Sequence, residues 1–361
     1  LRYEDVLAAL KEGLRTGYFE QLIREAFLKN PHEALVILLP SRTVGREREA
    51  AQEKILMEKK AAMSRVEIDA LIRACADLRA AQAESDTEEA LTAIPIRKEA
   101  EKLPLEVRDL DGTKILYSDL ETNGIVYLNF YFPMSAVAQE DLPYAYLLAE
   151  MLGAVDTARH SYAELALLKS LYTGGIGADI VAYTRAGEPE SLLPRFKLRA
   201  KVLRRNVARL FEILEEMLLE SDFSDAKRIR ELIDEDKTGM ELSLQRAANQ
   251  IVAARIAGYL MPSGCYAEEG GLSFHAFLSA FQENFAVHHQ QMQEAFARLL
   301  PRIFNRNDLM VSITAPADDY ESIAEELSAF QKKLSAREFS AAQYHWDLAA
   351  RNEGLTTQSR V

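Results

Sequence analysis

Apolar positions along the chain switch between helical and strand periods, and the switches divide it. Tyr18 to Lys29 carries helical spacing and breaks at Asn30-Pro31; Ala34 to Leu39 is a continuous apolar run, predicted as a short strand closed by Pro40-Ser41. From Gly45 to Ala83 the composition turns to Ala, Glu, Lys and Arg. Ser64 and Glu67 stand there at the spacing of a capping box, which predicts two antiparallel helices turning near Ser64. Ile55, Leu56, Met63, Ile68, Leu71, Ile72 and Leu78 are expected to line one seam between them. Past 85–89 the pattern becomes β. Leu105 to Leu110 and Lys114 to Leu120 flank Asp111-Gly112, a tight-hairpin pair, and Gly124 to Met134 is a third strand. Helices follow at Asp141 to Leu152 and Tyr162 to Tyr172. Gly174-Gly175-Ile176-Gly177 opens a strand through Thr184, and Phe196 to Leu203 is another. Three or more helices fill Asn206 to Ile303, before a strand at Leu309 to Thr314 and a helix at Glu321 to Leu334. The class this predicts is α+β, with helices against one face of the strands.

One pattern occurs twice. Phe27-Leu28-Lys29-Asn30 leads into the Ala34 run and Pro40, as Ile303-Phe304-Asn305-Arg306 leads into the Leu309 strand and Pro316. A repeated fold accounts for it most simply. Residues 1–42 are then the tail of one copy, 43–92 a helical hairpin linker, 93–336 a second copy, and 337–361 a link to something further. A start without Met and a β-prone end, Thr356 to Val361, fit a chain that continues at both sides.

Charge narrows the partners. Lys plus Arg number 43 against 56 Asp plus Glu, a net of -13, which argues against nucleic acid and suits basic peptides. Cys75 and Cys265 have no paired spacing, so neither a disulfide framework nor a thiolate metal site is expected, and a cytoplasmic setting fits. No apolar run approaches the roughly 18 residues of a membrane span, so no membrane partner is expected.

Several chemistries fail on order or spacing. A dinucleotide fingerprint runs strand, glycines, helix, whereas Gly174 to Gly177 follow a helix and open a strand. No P-loop or Gly-x-Ser-x-Gly elbow occurs. Cys265 reads as a structural thiol, with His275 nearby only in sequence. None of His32, His160, His275, His288, His289 and His345 stands three or four residues from another, and His160 with Glu164, expected as an exposed pair on one helical face, makes no zinc site.

Two segments carry a resemblance. Pro143-Tyr144-Ala145-Tyr146-Leu147-Leu148-Ala149-Glu150-Met151-Leu152 resembles the helix of pitrilysin/insulinase-type zinc metallopeptidases that bears the inverted motif His-x-x-Glu-His, written there Ala-His-Leu-Leu-Glu-His-Met-Leu. The packing letters remain, while the three chemical positions become Tyr146, Ala149 and Glu150. Leu171 to Thr184 is similar to the same family's Gly-led edge strand beside substrate, with Gly177 in place of an Asn. The mixed-charge hairpin and acidic balance look most like the presequence-protease branch. The resemblance implies a pitrilysin-like domain with a degenerate active site that has no catalytic or metal-binding residue of its own, zinc belonging to the catalytic domain of the parent. It implies that Gly174, Gly175, Ile176, Gly177, Ala178 and Asp179 form a candidate substrate strand. Expected partners are the remaining domains of the same polypeptide and unstructured peptide, held in a chamber whose wall and hinge this segment helps to form. The alternative is a binding or assembly module without a peptidase parent, using the hairpin as its partner element.

Overall fold

The structure, a computed structural model, describes residues 4–39, 41, 43–85, 104–349 and 352–354. Two compact units divide the chain, Leu1–Glu99 and Ala100–Val361; the expected boundary at 92/93 lies outside the described residues.

In the first unit α1 spans Glu4–Thr16, a helix absent from the elements expected of the sequence. Gly17, at φ 72°, turns the chain into α2, Tyr18–Ile23, which runs on as a π-helical turn, Arg24–Leu28. The strand expected over Ala34 to Leu39 is absent. Leu35 and Leu38 are 88% and 91% exposed and the backbone there is irregular. A strand needs a neighbour to take its amide and carbonyl groups, and no described strand lies in this unit. The two copies of the repeated pattern therefore differ: one ends in a paired strand and the other does not.

Helices α3, Val44–Ala62, and α4, Arg65–Ala83, break at Met63-Ser64 as expected. The Glu67 amide donates to Ser64 Oγ at 3.3 Å while the Ser64 amide donates to Glu67 Oε2 at 2.8 Å, closing the capping box. The expected apolar seam is not buried. Met63 and Ile68 are half-buried, but Ile55, Leu56, Leu71, Ile72 and Leu78 are all more than half exposed. Ile55, Leu56 and Met57 are consecutive, so at about 100° per residue they spread around α3 instead of forming a stripe.

The second unit holds one mixed six-stranded sheet in the order β1-β2-β6-β3-β5-β4. Its strands are β1 Glu106–Leu110, β2 Thr113–Asp119, β3 Ile125–Pro133, β4 Ile176–Arg185, β5 Glu188–Leu203 and β6 Met310–Ala315. Asp111 and Gly112, at φ 52° and 83°, form the β1–β2 turn; two positive values are what a tight primed turn requires. Strand β5 begins at Glu188, well before the expected start at Phe196. Strand β6 inserts between β2, to which it is parallel, and β3.

The helices are α5 Leu142–Met151, α6 Tyr162–Tyr172, α7 Val207–Leu219, α8 Ala226–Arg246, α9 Ala248–Leu260, α10 Pro262–Glu268, α11 Leu272–Glu283, α12 Phe285–Ile303 and α13 Ala317–Gln331. Alternate residues of the sheet, Val126, Leu128, Phe130 and Phe132 on β3 with Phe196, Leu198 and Val202 on β5, are buried in the core. Phe130 sits 6.1 Å from Phe211 of α7 and 5.8 Å from Phe330 of α13, ring centre to ring centre. Each such side chain contributes about 2–3 kcal/mol of burial, which fixes the helical layer to this face.

The stretch read as a link beyond 336 lies on the domain. Tyr344 donates its hydroxyl to the Val137 carbonyl at 2.8 Å, Trp346 stacks on Tyr344, and Arg255 pairs with Glu353 at 2.6 Å. Among the described residues no helix is long and apolar enough to cross a membrane.

Candidate functional site

Helix α5 follows a single 3-10 turn, Gln139–Asp141, and Pro143 stands in its first turn, where the missing amide costs nothing. Asp141 is held by Arg298 of α12 at 2.7 Å, which fixes the start of the helix. Leu142, Ala145, Leu147, Leu148 and Met151 are buried, so the helix rolls Tyr146, Ala149 and Glu150 toward β4 and α10–α11.

Tyr146 is committed to packing. Its hydroxyl donates to the Tyr266 carbonyl at 2.9 Å, its ring lies against Phe274, and burial together with Glu269 and Glu268 pushes its ionisation far above that of a free phenol. Ala149 packs against the core and carries no donor atom. Burial, and then the charge of Asp179, raises the Glu150 carboxyl above its ordinary range.

Strand β4 lies at the sheet edge, paired with β5 alone. The pairing reaches back to the glycines: the Gly174 amide donates to the Lys201 carbonyl at 2.8 Å and the Lys201 amide to the Gly175 carbonyl at 3.2 Å. Both glycines have a local reason. A Cβ on Gly174 would lie 2.8 Å from the Lys201 side chain, and Gly175 has φ 125°. Asp179 pairs with Arg199 of β5 at 2.8 Å. Both α5 and α10 pack on β4, so the two segments singled out in the sequence meet, and Glu150 senses the charge of Asp179.

One participant escaped the sequence reading. Asp236 of α8 has one carboxylate oxygen, Oδ2, buried without a hydrogen-bond partner, and its acidity is weakened to about 7 by burial, then by Glu150 and Glu235. The signal was present: buried Ile229, Leu232 and Ile233 define the inner stripe of α8, and position 236 continues it three and four residues on.

Zinc needs a nitrogen, thiolate or carboxylate at each ligand position. A phenol engaged with a carbonyl, an alanine and one glutamate do not make that set. No group of three or more His, Cys, Asp or Glu among the described residues is placed to hold a metal ion.

His160 does not share a helical face with Glu164. Glu164 turns back on Ser161 in a capping box at the start of α6, while His160 lies ahead of the helix with Nδ1 2.9 Å from Glu216 of α7. Cys265 is half-buried, its thiol donating to the Gly258 carbonyl at 2.7 Å.

A mixed sheet with its helices on one face, and an edge strand beside the helix that follows β3, is the pitrilysin-type α+β fold. The chain belongs to the associated-domain family of the pitrilysin-type peptidases, "Peptidase M-16C associated", whose model matches residues 38–281. Its relatives lie in the presequence-protease branch. Protein HypA of Clostridium perfringens is 28% identical over 368 residues, covering 100% of the chain and 38% of HypA. Presequence protease 1, chloroplastic/mitochondrial, of Arabidopsis thaliana is 28% identical over 375 residues, covering 100% of the chain and 34% of that protein. The chain thus spans little more than a third of the length of these curated relatives. Among solved structures a protease from Helicobacter pylori aligns at 12% identity and a TM-score of 0.42, over 66% of this chain and 52% of that one.

Proposed function

We propose that this chain is a non-catalytic segment of a zinc metalloendopeptidase acting on unstructured peptides, in which it forms part of the substrate chamber wall and hinge. Tyr146 carries the reading. At the position where the resemblance puts the first zinc-binding histidine stands a phenol whose oxygen is spent on the Tyr266 carbonyl. What survives beside it is the open side of β4, where an extended peptide can add by main-chain hydrogen bonds at the Gly174 to Asp179 stretch. The segment then holds peptide while zinc and the cutting chemistry belong to another domain of the same polypeptide.

Amide exchange of the chain with and without an excess of unstructured peptide tests the holding role. Added protection between Ile176 and Thr184 is expected. Unchanged exchange there, with peptide present in excess, contradicts it.

A further inference from the structure

We infer that the open face of the sheet, opposite the helical layer, is a docking surface for acidic stretches of polypeptide. This deepens the peptide-holding reading, on which it rests, by naming the chemistry of what is held.

The observation is one of register. On β5 the odd-numbered positions Arg195, Lys197, Arg199 and Lys201 alternate with buried Phe196, Leu198, Ala200 and Val202, so four successive cations project from the face away from the core. Directly across on β3 stand Tyr131 opposite Lys197 and Tyr127 opposite Lys201. Following the paired registers over all six strands, this face carries five cations, the fifth being Lys114 of β2, against two carboxylates, Asp109 and Asp179. In a chain of net charge -13 that is a local inversion of sign.

Two of the cations are already answered. Arg195 pairs with Asp308 at 2.8 Å and Arg199 with Asp179 at 2.8 Å. Lys197 and Lys201 have no carboxylate partner among the described residues. Lys197 lies with its ammonium 5.7 Å from the Tyr131 ring centre, and the aliphatic stem of Lys201 lies along Gly174. Beside them Tyr127, Arg199, Lys201 and the Gly174-Gly175 backbone border a groove of about 380 Å³. Two free ammoniums flanked by tyrosines and bare glycine backbone suit an extended chain with carboxylates at alternate positions, since a strand also presents every second side chain to one face.

The test uses the chain with fluorescein-labelled unstructured peptides of matched length, one rich in Asp and Glu, one in Lys and Arg, one neutral, read by anisotropy at low and raised salt. The acidic peptide is expected to bind about tenfold or more tighter than the basic one, with the difference shrinking as salt rises. Lys197→Gln with Lys201→Gln should cost about tenfold in acidic-peptide affinity at an unchanged thermal midpoint, while Lys227→Gln with Lys332→Gln, the same charge change outside this face, should leave it alone. Equal affinity for acidic and basic peptides overturns the inference, as does equal weakening by both double variants. A single-stranded oligonucleotide bound more tightly than the acidic peptide also overturns it, making the face a general polyanion surface. If acidic peptides fail while the neutral peptide still protects β4, this inference falls and the peptide-holding role stands. If no peptide binds or protects, both fall.

Discussion

Tyr146 lies over Gly270 so closely that a Cβ at position 270 would come 2.2 Å from the ring. That contact, with the hydroxyl bond to the Tyr266 carbonyl, locks the side chain into the domain. Gly270→Ala should therefore destabilise the unit by about 2–3 kcal/mol in urea unfolding, because the ring must move. In a Tyr146→Ala background the same change should cost almost nothing, a coupling that a merely local backbone effect at 270 would not produce.

Asp236 makes stability depend on pH with a defined sign. Its acidity is weakened from 3.8 in the reference state to about 7 in the fold, so between those values the folded chain holds a proton the unfolded chain has released. Stability then falls as pH rises across that window. Asp236→Asn should match the parent near the acidic end and exceed it by about 2 kcal/mol above neutrality, less than the full shift would give because Asp236 is only partly buried and coupled to Glu150. A parent and variant with parallel pH profiles would contradict this placement.

Glu216 is a buried carboxylate answered from one loop: it accepts from the Thr157 hydroxyl and meets Nδ1 of His160. Glu216→Ala leaves both partners and a cavity behind and should cost about 3 kcal/mol. Glu216→Gln keeps the shape and one acceptor and should cost clearly less, as thermal unfolding of the two variants will read.

The capping box at Ser64 gives a pH-sensitive local readout. Its two hydrogen bonds with Ser64, backbone first, hold the Glu67 carboxyl below its usual range, so the cap persists above that lowered value and is lost as pH falls through it. Amide exchange at residues 65–68, compared with residues 75–80 of the same helix, should quicken several-fold in Ser64→Ala at neutral pH. Equal change at both ends would mean the box does not hold the helix start.

Elements specified by neighbours in sequence were legible before the fold was known. Asp111-Gly112 announces its turn, Ser64 and Glu67 their cap, and Gly174-Gly175 the entry to β4. Elements specified at a distance were not. Nothing near Leu309 says that β6 slots between β2 and β3, and Glu188-Pro189 reads as loop although β5 begins there, paired to Arg185 across a tight turn. Ala34 to Leu39 shows the converse: apolar letters alone do not make a strand without a partner to pair with. In the site, Tyr146, Ala149 and Glu150 were legible because a helix fixes their spacing. Asp236 was not, because its meeting with Glu150 depends on how α5 and α8 pack.

The claim that Tyr146, Ala149 and Glu150 form a peptidase frame without its metal is tested most directly by measuring metal content and peptide cleavage on the purified chain at neutral pH. The expectation is no stoichiometric zinc and no cleavage of unstructured peptide, with Tyr146→His, Ala149→Glu and Glu150→His together gaining only weak metal binding for want of the supporting outer hydrogen bonds. One tightly held zinc per chain, or cleavage abolished by a chelator, would contradict it.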